Sequence, residues 1–263
     1  MESIRDLPLL VFLLSFLLLW LSTQVGIFLG NRWHCPEQDA SNEASFVGFI
    51  LSATLALLGL IIGFTFSMAI SRYDQRVNYE AAEANAIGTQ ILRADLLPVA
   101  DAATVRVLLR RYLDQRVLFY TTRNAADIVP INERTAQLQA ALWSSILGPA
   151  AAKPTPIIGL VVSGMNDVLN ARDYTQAAWW NRIPVAAWML MTTISICCTV
   201  LIGFNPQHPR ATSRLLLILP FVVSVSFFLI ADIDSPRWGV IHVAPENLLS
   251  LVQSLRAQST LSP

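Results

Sequence analysis

Four stretches of this chain carry no charged side chain and are long enough to cross a bilayer: Leu7 to Leu29, Ala44 to Ser71, Ile183 to Phe204 and Leu215 to Ala231. A bilayer-spanning helix needs roughly 20 predominantly apolar residues, and each run is close to that length. Lipid offers no hydrogen-bond partner to an open backbone, so such runs are restricted to structures that pair their own amides. The first run is too long and too rich in Leu and Phe for the apolar part of a cleaved leader. Pro8 suits the first turn of one helix and Pro184 the first turn of another. Trp179, Trp180 and Trp188 fit the aromatic belt at a membrane surface. The fold class that follows is an all-α membrane protein. Its order is a first hairpin over 1–71, a polar insert over 72–182, a second hairpin over 183–232 and a C-terminal tail over 233–263.

Charge is partitioned just as sharply. Only 14% of the residues are charged, against about 25% in soluble domains, and the insert between Arg72 and Arg182 holds twelve of the eighteen basic residues together with ten acidic ones. The segment Gly30 to Glu43 sets Arg32 against Glu37, Asp39 and Glu43. The bias of basic residues towards cytoplasmic loops places the insert and both termini in the cytoplasm, although Arg210 and Arg214 on the short outer hairpin point mildly the other way. The eighteen basic and eighteen acidic residues cancel, so no overall field draws nucleic acid. Cys35, Cys197 and Cys198 have neither disulfide nor zinc spacing.

Within the insert, the absence of proline before Pro98 and a helix-forming composition continue the second span well beyond the membrane. A helix from Asp101 to about Tyr120 puts Val105, Leu108, Leu109, Tyr112, Leu113 and Val117 on one face and Arg106, Arg110, Arg111 and Asp114 on the other. Thr121 to Ile131 reads as a connector ending around Pro130. A further helix runs from Asn132 to Leu147 and stops at Gly148-Pro149, and a last one runs from Ile157 to about Tyr174.

No catalytic constellation is present. His34, His208 and His242 are scattered, and no metalloprotease, nucleophile-elbow, phosphate-loop or paired-cysteine pattern occurs. Neither an enzyme nor a cofactor or metal centre is expected. Glu80 and Glu83 share a helical face and would suit a cation; pairing with Arg76 and with arginines of neighbouring subunits is the alternative, and the preferred one. Coupled transporters hold Asp, Glu, His or Lys at membrane depth, and these spans offer none, whereas a passive pore can be lined by apolar and hydroxyl side chains. Four helices enclose no such pore alone, so self-association is required.

Gly63-Phe64, seven further residues, then Arg72-Tyr73 resembles the end of the second span in bestrophins. The stretches Tyr79-Glu80-Ala81-Ala82-Glu83-Ala84-Asn85-Ala86-Ile87-Gly88 and Arg93-Ala94-Asp95-Leu96-Leu97-Pro98, with the closing motif Asp232-Ile233-Asp234-Ser235-Pro236-Arg237-Trp238-Gly239, are similar to the small bacterial bestrophin-like family. The resemblance implies a homopentameric ion channel in the inner membrane of a prokaryote. Its partners would be lipid, copies of itself and small inorganic ions, with a pore lined by the second span and a vestibule lined by the insert, including Glu80 and Glu83. The neck would fall on Ala56, Leu60 and Phe64, spaced on one helical stripe. The competing reading of that face is helix packing through Gly48, Ser52, Ala56 and Gly59, and the competing function is a non-conducting membrane scaffold or signalling protein. Asp232 and Asp234, at the negative end of the fourth span, need compensation. Arg72 and Arg5 lie at the same boundary, and an Arg pairing is expected over a calcium ion because no long acidic cluster follows.

Overall fold

The computed structural model describes residues 7–32, 40–204 and 215–261. Arg5, His34, Cys35, Glu37, Asp39, His208, Arg210 and Arg214 lie outside the described residues. Among the described residues, eight α-helices follow in order: α1 (Pro8–Arg32), α2 (Ala40–Arg93), α3 (Val99–Thr121), α4 (Ala125–Ala152), α5 (Pro156–Trp180), α6 (Val185–Phe204), α7 (Ile218–Asp234) and α8 (Glu246–Leu261). Short 3-10 turns precede α3 and α7. The described residues contain no strand, and four helices are long and apolar enough to cross a membrane.

The chain divides into two compact units, residues 1–72 with 182–242 and residues 73–181 with 243–263. Two of the sequence-based boundaries therefore change. The two hairpins form one unit, because α1 packs along α6 and α7 of the second hairpin. The tail is not separate, since α8 delivers Leu248 and Leu255 into the core of the insert.

In the first unit, α1 and α6 approach backbone to backbone. A Cβ on Gly26 would fall on the Val200 carbonyl oxygen, and one on Gly203 on the Thr23 carbonyl oxygen. Two helices meet this closely only where side chains are missing, and small residues are how membrane helices compensate for the lack of a hydrophobic drive between them. Several hydroxyls in the spans return to their own helix. Thr23 donates to the Leu19 carbonyl at 2.9 Å and Ser195 to the Met191 carbonyl at 2.7 Å, which satisfies them where water is absent.

Helix α2 is a single element of 54 residues, as the proline-free sequence predicts. In the second unit its C-terminal part contributes Ala84, Ile87 and Ile91 to a core completed by α3, α4, α5 and α8. The expected face of α3 is the buried one: Val105, Leu109, Tyr112 and Leu113 are all in the interior. The connector assigned to Thr121–Ile131 shrinks to residues 122–124, and from Ala125 on it is the start of α4, which Asn124 caps by accepting from the Ala126 amide at 3.1 Å. Pro130 and Pro149 both lie inside that helix. Pro130 removes one intrahelical bond in the second turn of α4, and the helix runs through it. Helix α5 begins with Pro156 after Thr155, whose hydroxyl accepts from the Ile158 amide.

Candidate functional site

The apolar part of α2 has two unlike faces. Leu58, Thr65 and Ala69 are buried and, with Thr54, Ile61 and Arg72 in partly covered positions, form one stripe at helical spacing. The opposite side is uncovered by the other described residues. It carries Ser52, Ala56, Gly59, Gly63 and Ser67 in one row, beside Leu57, Leu60, Phe64 and Met68 in the next. Leu60 is 54% exposed and Phe64 63% exposed. Ala56, Leu60 and Phe64 therefore share the free face with Ser52 and Gly59, the small residues of the competing packing reading.

At the end of the spans, Asp232 and Asp234 are both buried, and each has its own set of partners. Asp234 accepts from the Ile183 amide at 3.1 Å, just ahead of α6. Arg72 Nη1 stands 3.9 Å from the same carboxylate, too far for a hydrogen bond, so this is a charge contact. Arg72 is thus an arginine placed against Asp234. Asp232 is different: its two oxygens accept from the Val240 and Ile241 amides at 2.8 and 2.9 Å. Its carboxylate folds the following loop back onto the end of α7, and backbone amides stand where an arginine was expected. Gly239 fits this loop because a Cβ there would strike the Asp232 carbonyl oxygen. Charge-assisted hydrogen bonds contribute roughly 1.5–3 kcal/mol each. Asp232→Ala is accordingly expected to lower stability by about 2–4 kcal/mol, and Asp232→Asn, which keeps one acceptor, by about half that. Thermal unfolding of the two variants beside the parent checks the order.

Glu80 and Glu83 are interior groups of the second unit, 1% and 0% exposed, so neither lines a surface of the folded chain as the vestibule assignment required. Glu80 accepts from the Leu248 amide at 2.9 Å and from Asn247 Nδ2 at 2.6 Å. Its charge thereby meets the positive end of α8. Glu83 is gripped by the Arg116 guanidinium of its own chain through Nε and Nη2, with Tyr120 Oη and Thr175 Oγ1 donating at 3.3 and 3.2 Å. Arg76 donates to the Ala178 and Asn181 carbonyls. Burial disfavours the charge on Arg116, but the Glu83 carboxylate against it more than compensates and holds its pKa above the usual arginine value. Burial, reinforced by Glu83, pushes the Tyr112 and Tyr120 hydroxyls well above the ordinary phenol range. Among the described residues, no group of three or more His, Cys, Asp or Glu side chains could hold a metal ion.

The sequence pointed to Glu80 and Glu83 but not to their partners. Arg116 was legible in principle, because it lies four residues after Tyr112 and seven after Leu109, on the apolar face of α3. An arginine on a buried stripe calls for a buried carboxylate.

A family model described as the Bestrophin-like domain matches residues 14–248. No curated protein matches the chain significantly. Among solved structures, a bacterial bestrophin homologue from Klebsiella pneumoniae superposes with a TM-score of 0.64 at 15% identity, covering 95% of this chain and 99% of that one. A point variant of the homologue from the same organism gives a TM-score of 0.64 at 14% identity, covering 94% and 98%. At these identities the likeness concerns the fold.

Proposed function

On the premise that the chain belongs to the Bestrophin-like family, we propose that it is an oligomeric ion channel that passes small ions passively along a central axis lined by α2. The observation that carries this reading is the uncovered face of α2, where Ala56, Leu60 and Phe64 stand exposed in the membrane-spanning part of a single chain. Such a face needs either lipid or further copies of the chain against it, and its mixture of small, hydroxyl and bulky apolar groups suits a pore wall with an apolar constriction. The lack of charged residues in the spans supports passive conduction over coupled transport. The oligomer is taken as a pentamer in the inner membrane, with the second unit and both termini cytoplasmic and lipid, other copies and small inorganic ions as partners.

Reconstitution of the purified protein in planar bilayers tests the proposal. Discrete unitary currents that vary linearly with voltage near reversal are expected. Their absence across several ions and voltages would leave α2 as a packing surface and the protein as a non-conducting membrane scaffold, the reading that Gly48, Ser52, Ala56 and Gly59 favour.

A further inference from the structure

The loop that leaves α7 is tied down at its backbone yet turns apolar side chains outward. Asp232 draws the Val240 and Ile241 amides back onto the helix end at 2.8 and 2.9 Å, and the Trp238 amide donates to Ser235 Oγ at 3.4 Å. Pro236 and Gly239 are buried. Trp238, Val240 and Ile241 are left uncovered by the other described residues, Val240 to 81%.

The place of this loop narrows what can cover it. It follows directly on α7, one of the four helices long and apolar enough to cross a membrane, and through His242 it belongs to the same compact unit as the second hairpin and α1. A span end is where water meets the headgroup layer, and Trp is enriched there because its ring suits the acyl boundary while its indole N–H reaches polar groups. The backbone suits the same place. An exposed loop amide ordinarily donates to water, whereas the amides of Trp238, Val240 and Ile241 are all engaged by oxygens of the chain. These three residues can therefore leave water without stranding a donor. Charge agrees with this. Between Ser235 and Pro245 the sequence carries Arg237 and His242 and no acidic residue, so nothing on the loop itself repels lipid phosphate, and basic groups close to a span are drawn towards anionic lipid. A second copy of the chain would cover the apolar groups equally well, but the position at a span end and the sign of the loop charge favour lipid.

We infer that residues 236–242 form a membrane-surface anchor, in which Trp238, Val240 and Ile241 enter the boundary between phospholipid headgroups and acyl chains at the end of α7. Asp232 is the positioning residue that holds them there. The anchor does not rest on conduction through α2.

The test uses the full-length protein reconstituted in vesicles of phosphatidylcholine and phosphatidylglycerol, with the phosphatidylcholine either plain or brominated near the glycerol end of its acyl chains. Bromine quenches an indole it touches, and the share of Trp238 in the emission is the difference between the parent and Trp238→Phe, which keeps an aromatic ring at an exposed position. That share is expected to fall by about half or more in the brominated vesicles. In Val240→Asp, read against the same protein carrying Trp238→Phe as well, the loss should shrink to about half of the parental one, because a carboxylate resists leaving water. A Trp238 share equally bright in plain and brominated vesicles would overturn the inference and leave the loop to water or to a second copy. Quenching unchanged by Val240→Asp would overturn it as well, because Trp238 would then meet lipid without the rest of the loop.

Discussion

Glu83→Ala is expected to remove about 3–5 kcal/mol of stability, enough to abolish most of the folded protein, because it strands a buried guanidinium. Arg116 is 1% exposed, and two of its nitrogens are committed to the Glu83 carboxylate. Without the carboxylate, the Tyr120 hydroxyl loses its acceptor too, while Thr175 keeps the Ala171 carbonyl at 3.0 Å. The loss differs from an ordinary cavity in that the second partner can undo it. Replacing Glu83 by Leu and Arg116 by Met together fills similar volumes with apolar groups, and such exchanges of a buried pair are often neutral or stabilising. Thermal unfolding in detergent for the two single variants and the double variant checks this. A Glu83→Ala protein within about 1 kcal/mol of the parent would show that the pair carries little of the fold.

How far these features were legible in the sequence depends on the range of the contact that creates them. The spans follow from uncharged runs, a one-dimensional signal, and all four are present. The long α2 and the buried face of α3 follow from local periodicity and absence of proline, and both hold. Most of what failed was what non-local partners decide. One failure was local: Pro130 looked like the end of a connector because proline interrupts isolated helices, yet α4 starts at Ala125 behind the Asn124 cap and runs through the proline. Asp232 called for compensation at a helix C-terminus, correctly, but its partners are the amides eight and nine residues on, where no side-chain chemistry marks them. The place of α8 in the second unit rests on Glu80 receiving Leu248 and Asn247 across more than 160 residues. The close approach of α1 to α6 was partly visible as Gly26 and Gly30 four apart, but its counterpart Gly203 lies in a distant span.

The proposed pore makes the second large effect a functional one. Phe64→Ala and Leu60→Ala should each raise unitary conductance, and together by on the order of tenfold, since lowering the barrier at an apolar constriction by about 1.4 kcal/mol is sufficient for that. Both side chains stand on the uncovered face of α2, so shortening them disturbs little packing within the chain, and the folded yield should be close to that of the parent. Leu58, two residues before Leu60, is the control. It is 3% exposed on the packed stripe, and Leu58→Ala should cost about 2–5 kcal/mol of stability by leaving a cavity while leaving the conductance of surviving channels unchanged. The two stripes of one helix thus give opposite signatures, current without stability loss on one side and stability loss without a change in current on the other. If Phe64→Ala instead dissociates the assembly and leaves currents of parental size in the remainder, the free face is a contact between subunits and the ion path runs elsewhere.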